Sequence, residues 1–302
     1  MEDDLDAQRL AQLRRRAGLT VSVCLPARDE EPTIGPIVAT VLRELVDGAG
    51  LVDEVVVLDD GSSDGTAEAA RRAGARVLAV DDVLPELPSG SGKGNALWKS
   101  LYAAEGDVVC WLDADVRNFG AHFVTRLVAP LLTDPTVALV KGYYERPLNG
   151  EPSGGGRVTE LMARPLLCAL FPQLARFVQP LAGEYAGRRE VLETVPFVEG
   201  WGVEIGLLID VAERFGTDCI AQRDLGVREH RNRSLEELAP QAMAVLVTAL
   251  RRAGVPPHQV GSTLVRVGAG GDHELVPIEV RERPPMATVA AYRAKFGREL
   301  TA

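Results

Sequence analysis

Val108-Val109-Cys110-Trp111-Leu112-Asp113-Ala114-Asp115 is an apolar run that ends in two carboxylates spaced i, i+2. In extended backbone, side chains alternate between faces, so Asp113 and Asp115 leave on the same one. A buried strand that delivers two carboxylates to its C-terminal edge suits a hard divalent cation, which takes oxygen ligands. The same residues also fit a plain strand ending in a solvated acidic turn, so the surrounding chain has to decide.

Upstream, strand-like runs at 20–25, 52–58 and 76–80 alternate with helical patterns at 33–45, 67–73 and 95–104, behind a leading amphipathic helix at 5–17. This alternation predicts an α/β fold with a mostly parallel sheet covered on both faces. Ligands of such sheets bind beyond the C-terminal ends of the strands. The loops that fall there are 26–31, 59–64, 89–94 and 113–115, all rich in acids or glycine, with a lone lysine at Lys93. Downstream, a strand is expected at 137–144 and a glycine run at 154–156 that opens a helix to 170. A loop over 179–185 leads to a short helix at 189–194. A helix over 203–215, a strand over 219–227 and a helix to 253 follow, the last opened by a Ser234/Glu237 capping box. The tail, with its Pro-Pro and glycine clusters, reads as a loosely packed extension holding a small hairpin.

With 46% hydrophobic and 25% charged residues, the composition is that of an ordinary globular chain. No apolar run approaches the roughly 20 residues of a membrane span, and the acidic start lacks the apolar core of a secretory signal. The four cysteines (Cys24, Cys110, Cys168, Cys219) are far apart, and all are expected to be buried free thiols in a reducing cytoplasm. A formal charge of −10 argues against nucleic-acid binding. Anionic substrates would therefore need locally concentrated positive charge.

Each candidate site has a bland alternative. Pro26-Ala27-Arg28-Asp29-Glu30 offers groups for a base or ribose, or is a polar turn. Asp60 leaves a buried strand and can accept from a uracil or guanine edge, while Ser62 or Ser63 can cap the next helix. Gly92-Lys93-Gly94 lacks the spacing of a P-loop; Lys93 serves as a point charge on a diphosphate or carboxylate, or the segment is a surface loop. Gly154-Gly155-Gly156-Arg157-Val158-Thr159 combines a helix N-terminus, a guanidinium and a hydroxyl, an anion site if it is not a linker. Arg228-Glu229-His230-Arg231-Asn232-Arg233 concentrates base in an acidic chain. His230 is a candidate nitrogen ligand to the same cation as Asp115, and Asn232 a candidate for phosphate or carboxylate. Glu204 is a candidate for a sugar hydroxyl, or simply an acid at a helix N-terminus.

Taken together, the 25–31, 58–66, 92–94 and 113–115 motifs resemble GT-A nucleotide-sugar glycosyltransferases. The later segments 141–148, 154–161, 179–185, 203–206 and 226–233 resemble the glucosyl- and mannosyl-3-phosphoglycerate synthases of glycosyltransferase family 81, with the match running from about 20 to 255. The resemblance implies a GT-A, Rossmann-like nucleotide-diphospho-sugar transferase fold with a helical acceptor-binding second half. The implied regions are an N-terminal helix (1–19), a nucleotide-sugar-binding region (20–145), an acceptor-binding region (146–255) and a C-terminal extension (256–302). Pro26, Ala27, Arg28, Glu30, Asp60, Lys93, Asp113, Ala114, Glu204 and Arg228 would contact the donor. Asp115 and His230 would bind Mg²⁺, or another divalent cation such as Mn²⁺ or Co²⁺. Gly156, Arg157, Thr159 and Asn232 would bind 3-phospho-D-glycerate. A homodimer is implied, with no nucleic acid and no membrane.

The expected reaction is retaining transfer of a hexose from a nucleotide sugar to the acceptor's 2-hydroxyl. Asp113, Asp115, Leu181 and Glu204 are its catalytic set. The resemblance points to the Leu181 backbone carbonyl near the anomeric face, with Glu184 as the weaker candidate nucleophile. Ala114 and Asp60 depart from the pattern of relatives on the nucleotide side. They tilt the expected donor slightly to GDP-mannose, with UDP-glucose as the alternative. From another class, a sugar-phosphate nucleotidyltransferase would need a glycine-rich N-terminal loop followed by arginine, which 26–31 does not supply.

Overall fold

The computed structural model describes residues 6–148, 151–154, 156–229, 234–268 and 270–297. The strands are β1 (Val21–Ala27), β2 (Glu54–Asp59), β3 (Arg76–Ala79), β4 (Val108–Trp111), β5 (Leu139–Glu145), β6 (Pro147–Leu148), β7 (Glu151–Gly154), β8 (Tyr185–Arg188), β9 (Phe197–Val198), β10 (Ile220–Val227), β11 (Thr263–Val267), β12 (His273–Pro277) and β13 (Glu282–Arg283). A seven-stranded sheet in the order β10-β5-β8-β4-β1-β2-β3 forms the centre. All its neighbours pair in parallel except β8, which is antiparallel to both β4 and β5. The mostly parallel α/β sheet is therefore as expected.

The helices are α1 (Ala7–Ala17), α2 (Glu31–Thr40, continued as a π-helix over Val41–Gly48), α3 (Thr66–Arg72), α4 (Lys93–Ala103), α5 (His122–Thr133), α6 (Arg164–Leu170), α7 (Arg189–Leu192), α8 (Val203–Phe215), α9 (Leu235–Arg252) and α10 (Ala290–Phe296). They cover both faces of the sheet. Cys24, Val56, Leu58, Val109 and Trp111 point into one core with α4, α6 and α8. Val23, Leu25, Val55, Val57, Val108 and Cys110 point into the other with α1, α2 and α5. Burial on both faces explains why these strands read as continuous apolar runs rather than alternating ones. Trp111 anchors the first core: its ring meets Tyr185 edge-on at 5.1 Å and its indole N–H donates to Ser100 Oγ at 2.8 Å. Among the described residues, no helix is long and apolar enough to cross a membrane.

Several expectations are corrected. Residues 185–188 form a buried central strand, β8, although Tyr-Ala-Gly-Arg carries little strand signal by itself. Helix α5 was not anticipated; Pro130 lies in its last turn. Cys24 and Cys110 are buried, but Cys168 is exposed and Cys219 only partly covered. The tail does contain a hairpin, β11–β12, yet it is not loosely packed throughout. Met286 and Tyr292 are fully buried, and the indole of Trp98 donates to Pro284 O at 2.7 Å.

Candidate active site

The sheet's C-terminal edge gathers the loops into one cleft of about 310 Å³. Pro26, Ala27, Arg28, Glu30, Asp60, Lys93, Asp113, Ala114 and Asp115, all singled out from sequence, line it together with Gly92, Ala96, Gly200 and Trp201. The loops after β1 and β2 are laced together. Asp29 sits in the left-handed region (φ 56°) and accepts from Ser63 N at 2.7 Å, while its own N–H donates to Ser62 Oγ at 3.0 Å. Glu30 N donates to Thr66 Oγ1 at 2.7 Å. Ser62 and Ser63 thus tie the loops and do not cap α3, where no side chain caps Gly65. Arg28 lies 4.0 Å from Asp60, whose carboxyl is raised by burial against the pull of that guanidinium. Gly92 takes a positive φ (81°) and lines the cleft beside Asp60 at the start of α4.

The two carboxylates of the Asp-x-Asp pair differ. Asp113 is engaged through both oxygens: Oδ1 accepts from Lys93 Nζ at 2.5 Å and Oδ2 from Arg228 Nη2 at 2.8 Å. Burial alone would raise its carboxyl, but the Lys93 and Arg228 cations outweigh that and hold it well below the usual range. Asp115 engages Arg228 Nη2 through Oδ1, at 2.6 Å. Lys93 also reaches Glu204 Oε1 at 2.7 Å from the first turn of α8. Its burial would lower the ammonium's pKa, yet Asp113 and Glu204 keep it well above normal. Glu204 and Arg228 do not line the cleft but stand directly behind its charged residues. Glu204 is therefore more than a helix-dipole acid. Glu184 is fully buried, 2.9 Å from Arg228 Nε.

The turn carrying Leu181 presses against this network. At Gly183 a Cβ would collide with the Asp113 carboxylate and stand 2.5 Å from Lys93 Nζ, so only glycine allows the approach. Gly183, Gly92 and Trp201 were not assigned roles from sequence. Their importance lies in contacts with residues far away in the chain, and only the glycines themselves were visible signals.

Gly156 (φ 76°) opens a helical segment that holds Arg157 and Thr159 and runs into α6; its π-helical part, Thr159–Ala163, packs on α9, and none of the three lines the cleft. A second hollow beside the cleft shares Asp115 and Trp201 with it and adds Glu237 and Gln241 from α9. Glu229 O accepts from Arg117 N at 2.9 Å, two residues beyond Asp115. His230 and Asn232, expected at the metal and the acceptor, lie outside the described residues, as does Gly155.

The model of glycosyl transferase family 2 matches residues 22–182. The glucosyl-3-phosphoglycerate synthase of Mycolicibacterium paratuberculosis is 51% identical over 285 residues, covering 91% of this chain and 86% of that one. The crystal structure of glucosyl-3-phosphoglycerate synthase from Mycobacterium tuberculosis with Mn²⁺, UDP-glucose and phosphoglyceric acid is similar at a TM-score of 0.86 and 46% identity, covering 95% of this chain and 96% of that one. The structure of that enzyme with Mg²⁺ and UDP gives 0.85 at 47% identity, covering 93% and 95%.

Proposed function

This chain belongs to glycosyl transferase family 2, and we propose that it transfers glucose from UDP-glucose to the 2-hydroxyl of 3-phospho-D-glycerate with retention of configuration. Its fold is the GT-A fold. Asp60 accepts equally from a uracil or a guanine imide, so geometry does not choose the base. The relatives named above carry the glucosyl name and UDP-glucose, which favours UDP-glucose over the GDP-mannose first preferred.

The observation that carries the reading is the inequality of Asp113 and Asp115. Both carboxylates line the cleft, but each oxygen of Asp113 already holds a cation, Lys93 or Arg228, whereas Asp115 holds Arg228 through Oδ1 and, among the described residues, turns Oδ2 to no cation. A divalent cation fits Asp115: its donor is a hard carboxylate oxygen on the wall of the cleft. Asp115 and His230 would hold Mg²⁺ or Mn²⁺, which supplies Lewis-acid neutralisation of a leaving diphosphate.

The other groups divide the work. Pro26 to Glu30 and Asp60 hold the nucleoside, and Lys93 and Arg228 fix Asp113 beside the hexose. Glu204 orients a hexose hydroxyl while its charge is balanced by Lys93. The Leu181 carbonyl faces the anomeric carbon. Glu184 is sealed behind Arg228, which disfavours a covalent intermediate on that carboxylate and supports attack from the same face as departure. A diphosphate oxygen then takes the acceptor proton. Gly156, Arg157, Thr159 and Asn232 hold phosphate and carboxylate. A cytoplasmic homodimer belongs to the same reading, supported by the four free thiols for the compartment and checked by sedimentation for the assembly.

The deciding experiment supplies 3-phosphoglycerate with either UDP-glucose or GDP-mannose and measures nucleoside diphosphate release, with NMR of the product's anomeric proton. Acceptor-dependent UDP release and an α-linked product are expected. Faster turnover of GDP-mannose, or release independent of the acceptor, overturns the proposal.

A further inference from the structure

Lys141 is a buried cation that the mechanism above does not use. It lies on β5, between the apolar Val140 and Gly142, with 3% of its surface exposed. Lysine is almost never this buried unless paired. Among the described residues, no carboxylate forms an ion pair with it. Its Nζ donates to Ala182 O at 2.7 Å and stands over the Tyr185 ring, 4.3 Å from the centroid.

Ala182 is the residue after Leu181, and the turn is tied to β5 at several points. Ala182 N donates to Gln179 O at 3.1 Å, and Gln179 Nε2 to Tyr144 O at 2.5 Å. Gly142 N donates to Glu184 O at 2.9 Å. The other links are neutral; the one to Ala182 is charge-assisted, the stronger kind. It acts on the peptide next to the one whose carbonyl faces the anomeric carbon in the proposed reaction.

We propose that Lys141 is a positioning residue of the transfer: its ammonium clamps the Ala182 carbonyl and so fixes the turn that presents the Leu181 carbonyl. This rests on the functional reading above for its catalytic consequence, but not for the clamp itself. The groups facing Lys141 are Glu204 from α8, Lys93 from α4, Glu184 and Tyr185 from the turn and β8, and Asp113 after β4. Burial, helped by Lys93, outweighs the three carboxylates and pulls its pKa down to about 8. The clamp is therefore mostly charged at neutral pH and loses its charge as pH rises through about 8.

The test uses Lys141→Met, which keeps the length and removes the charge, and Lys141→Gln, which keeps an uncharged donor. For Lys141→Met, kcat should fall about 10- to 100-fold, the scale of a displaced catalytic group, with both KM values within about twofold. The wild-type kcat should decline above pH 8, and Lys141→Met should lack that decline. Lys141→Gln should fall between the two and serves if the methionine variant does not fold. Hydrogen exchange at pH 7 reads the clamp without substrate: peptides over 179–184 should exchange about tenfold faster in either variant, with β1 and β4 unchanged. Unaltered exchange, a kcat within twofold of wild type, or an alkaline decline that survives the substitution overturns the inference. If wild type releases no UDP with 3-phosphoglycerate while exchange still rises in the variants, the functional reading fails and the clamp stands.

Discussion

Replacing Gly183 by alanine separates damage to the site from damage to the fold. The added Cβ would stand 2.5 Å from Lys93 Nζ, where ordinary contact begins at 3.4 Å, and closer still to the Asp113 carboxylate. Relief requires a withdrawal of about 1 Å. The colliding atoms are the tips of side chains rather than backbone, so the fold can yield cheaply. Overpacking of a tight core costs about 1–3 kcal/mol; here the low end applies, a shift in Tm of roughly 2–4 °C. The site cannot yield cheaply. Either Lys93 and Asp113 separate, or the turn bearing Leu181 retreats, and a misplacement of about 1 Å costs on the order of 100-fold in rate. Steady-state UDP release with saturating 3-phosphoglycerate should therefore show kcat down about 100-fold, with thermal melting nearly unchanged. A Gly183→Ala enzyme with kcat within threefold of wild type would refute the claim that this turn and the Asp113–Lys93 pair form one reacting surface.

Asp115→Asn should weaken Mn²⁺ binding in the presence of UDP at least about 100-fold by calorimetry, and chelation should abolish wild-type turnover until Mg²⁺ or Mn²⁺ is restored; full activity in EDTA sinks the metal assignment. Arg283 joins Glu199 at 2.8 Å and Asn95 Oδ1 at 2.9 Å and donates to Pro88 O, beside the donor loop. Arg283→Met leaves the buried Glu199 with only the exposed Arg281, 3.8 Å away, as its partner, a loss of about 3 kcal/mol, the low end for a broken buried pair; Tm should fall by roughly 6–10 °C and KM for UDP-glucose should rise, and a variant melting like wild type refutes this role of Arg283. Asp29→Ala removes the acceptor for Ser63 at a positive φ, so KM for UDP-glucose should rise several-fold. Asp29→Asn, which tolerates that backbone, should stay within twofold, and equal behaviour of the two variants argues against the brace.

The parallel half of the sheet was legible because burial on both faces leaves unbroken apolar runs in β1, β2 and β4, and because polar loops mark their ends. The cleft was legible for the same reason: strand ends of one parallel sheet meet at one edge, so Arg28, Asp60, Lys93 and Asp113 had to converge. What lay hidden was non-local. Tyr185-Ala186-Gly187-Arg188 becomes a strand because β4 and β5 leave a slot between them, not through its own propensity. The tail looked loose from its prolines and glycines, but Trp98 and Asn95 fasten it from almost two hundred residues away. Lys141 carries no signal of its role in the sequence; nothing in Leu-Val-Lys-Gly says that a carbonyl forty-one positions later will need a cation.

The charge balance of the site bears on how an acidic chain would accept the two anionic substrates of the proposed reaction. Among the described residues, Lys93, Lys141, Arg146 and Arg228 stand against Asp113, Asp115, Glu184 and Glu204. Four cations do no more than balance four carboxylates, so this part of the cleft has no surplus positive charge to offer a diphosphate. Arg228 in particular is occupied by Asp113, Asp115 and Glu184. A divalent cation held by Asp115 would tip the balance positive and would compete with Arg228 for the same carboxylate, freeing guanidinium donors for the incoming phosphates. Nucleotide affinity and metal affinity are then two sides of one coupling, and linkage requires each to raise the other by the same factor. UDP titrated without metal should bind weakly, and Mn²⁺ titrated without UDP should be weakened by the same factor. A coupling factor near one at a fixed pH and ionic strength would show that metal and nucleotide do not share the Asp115–Arg228 contact.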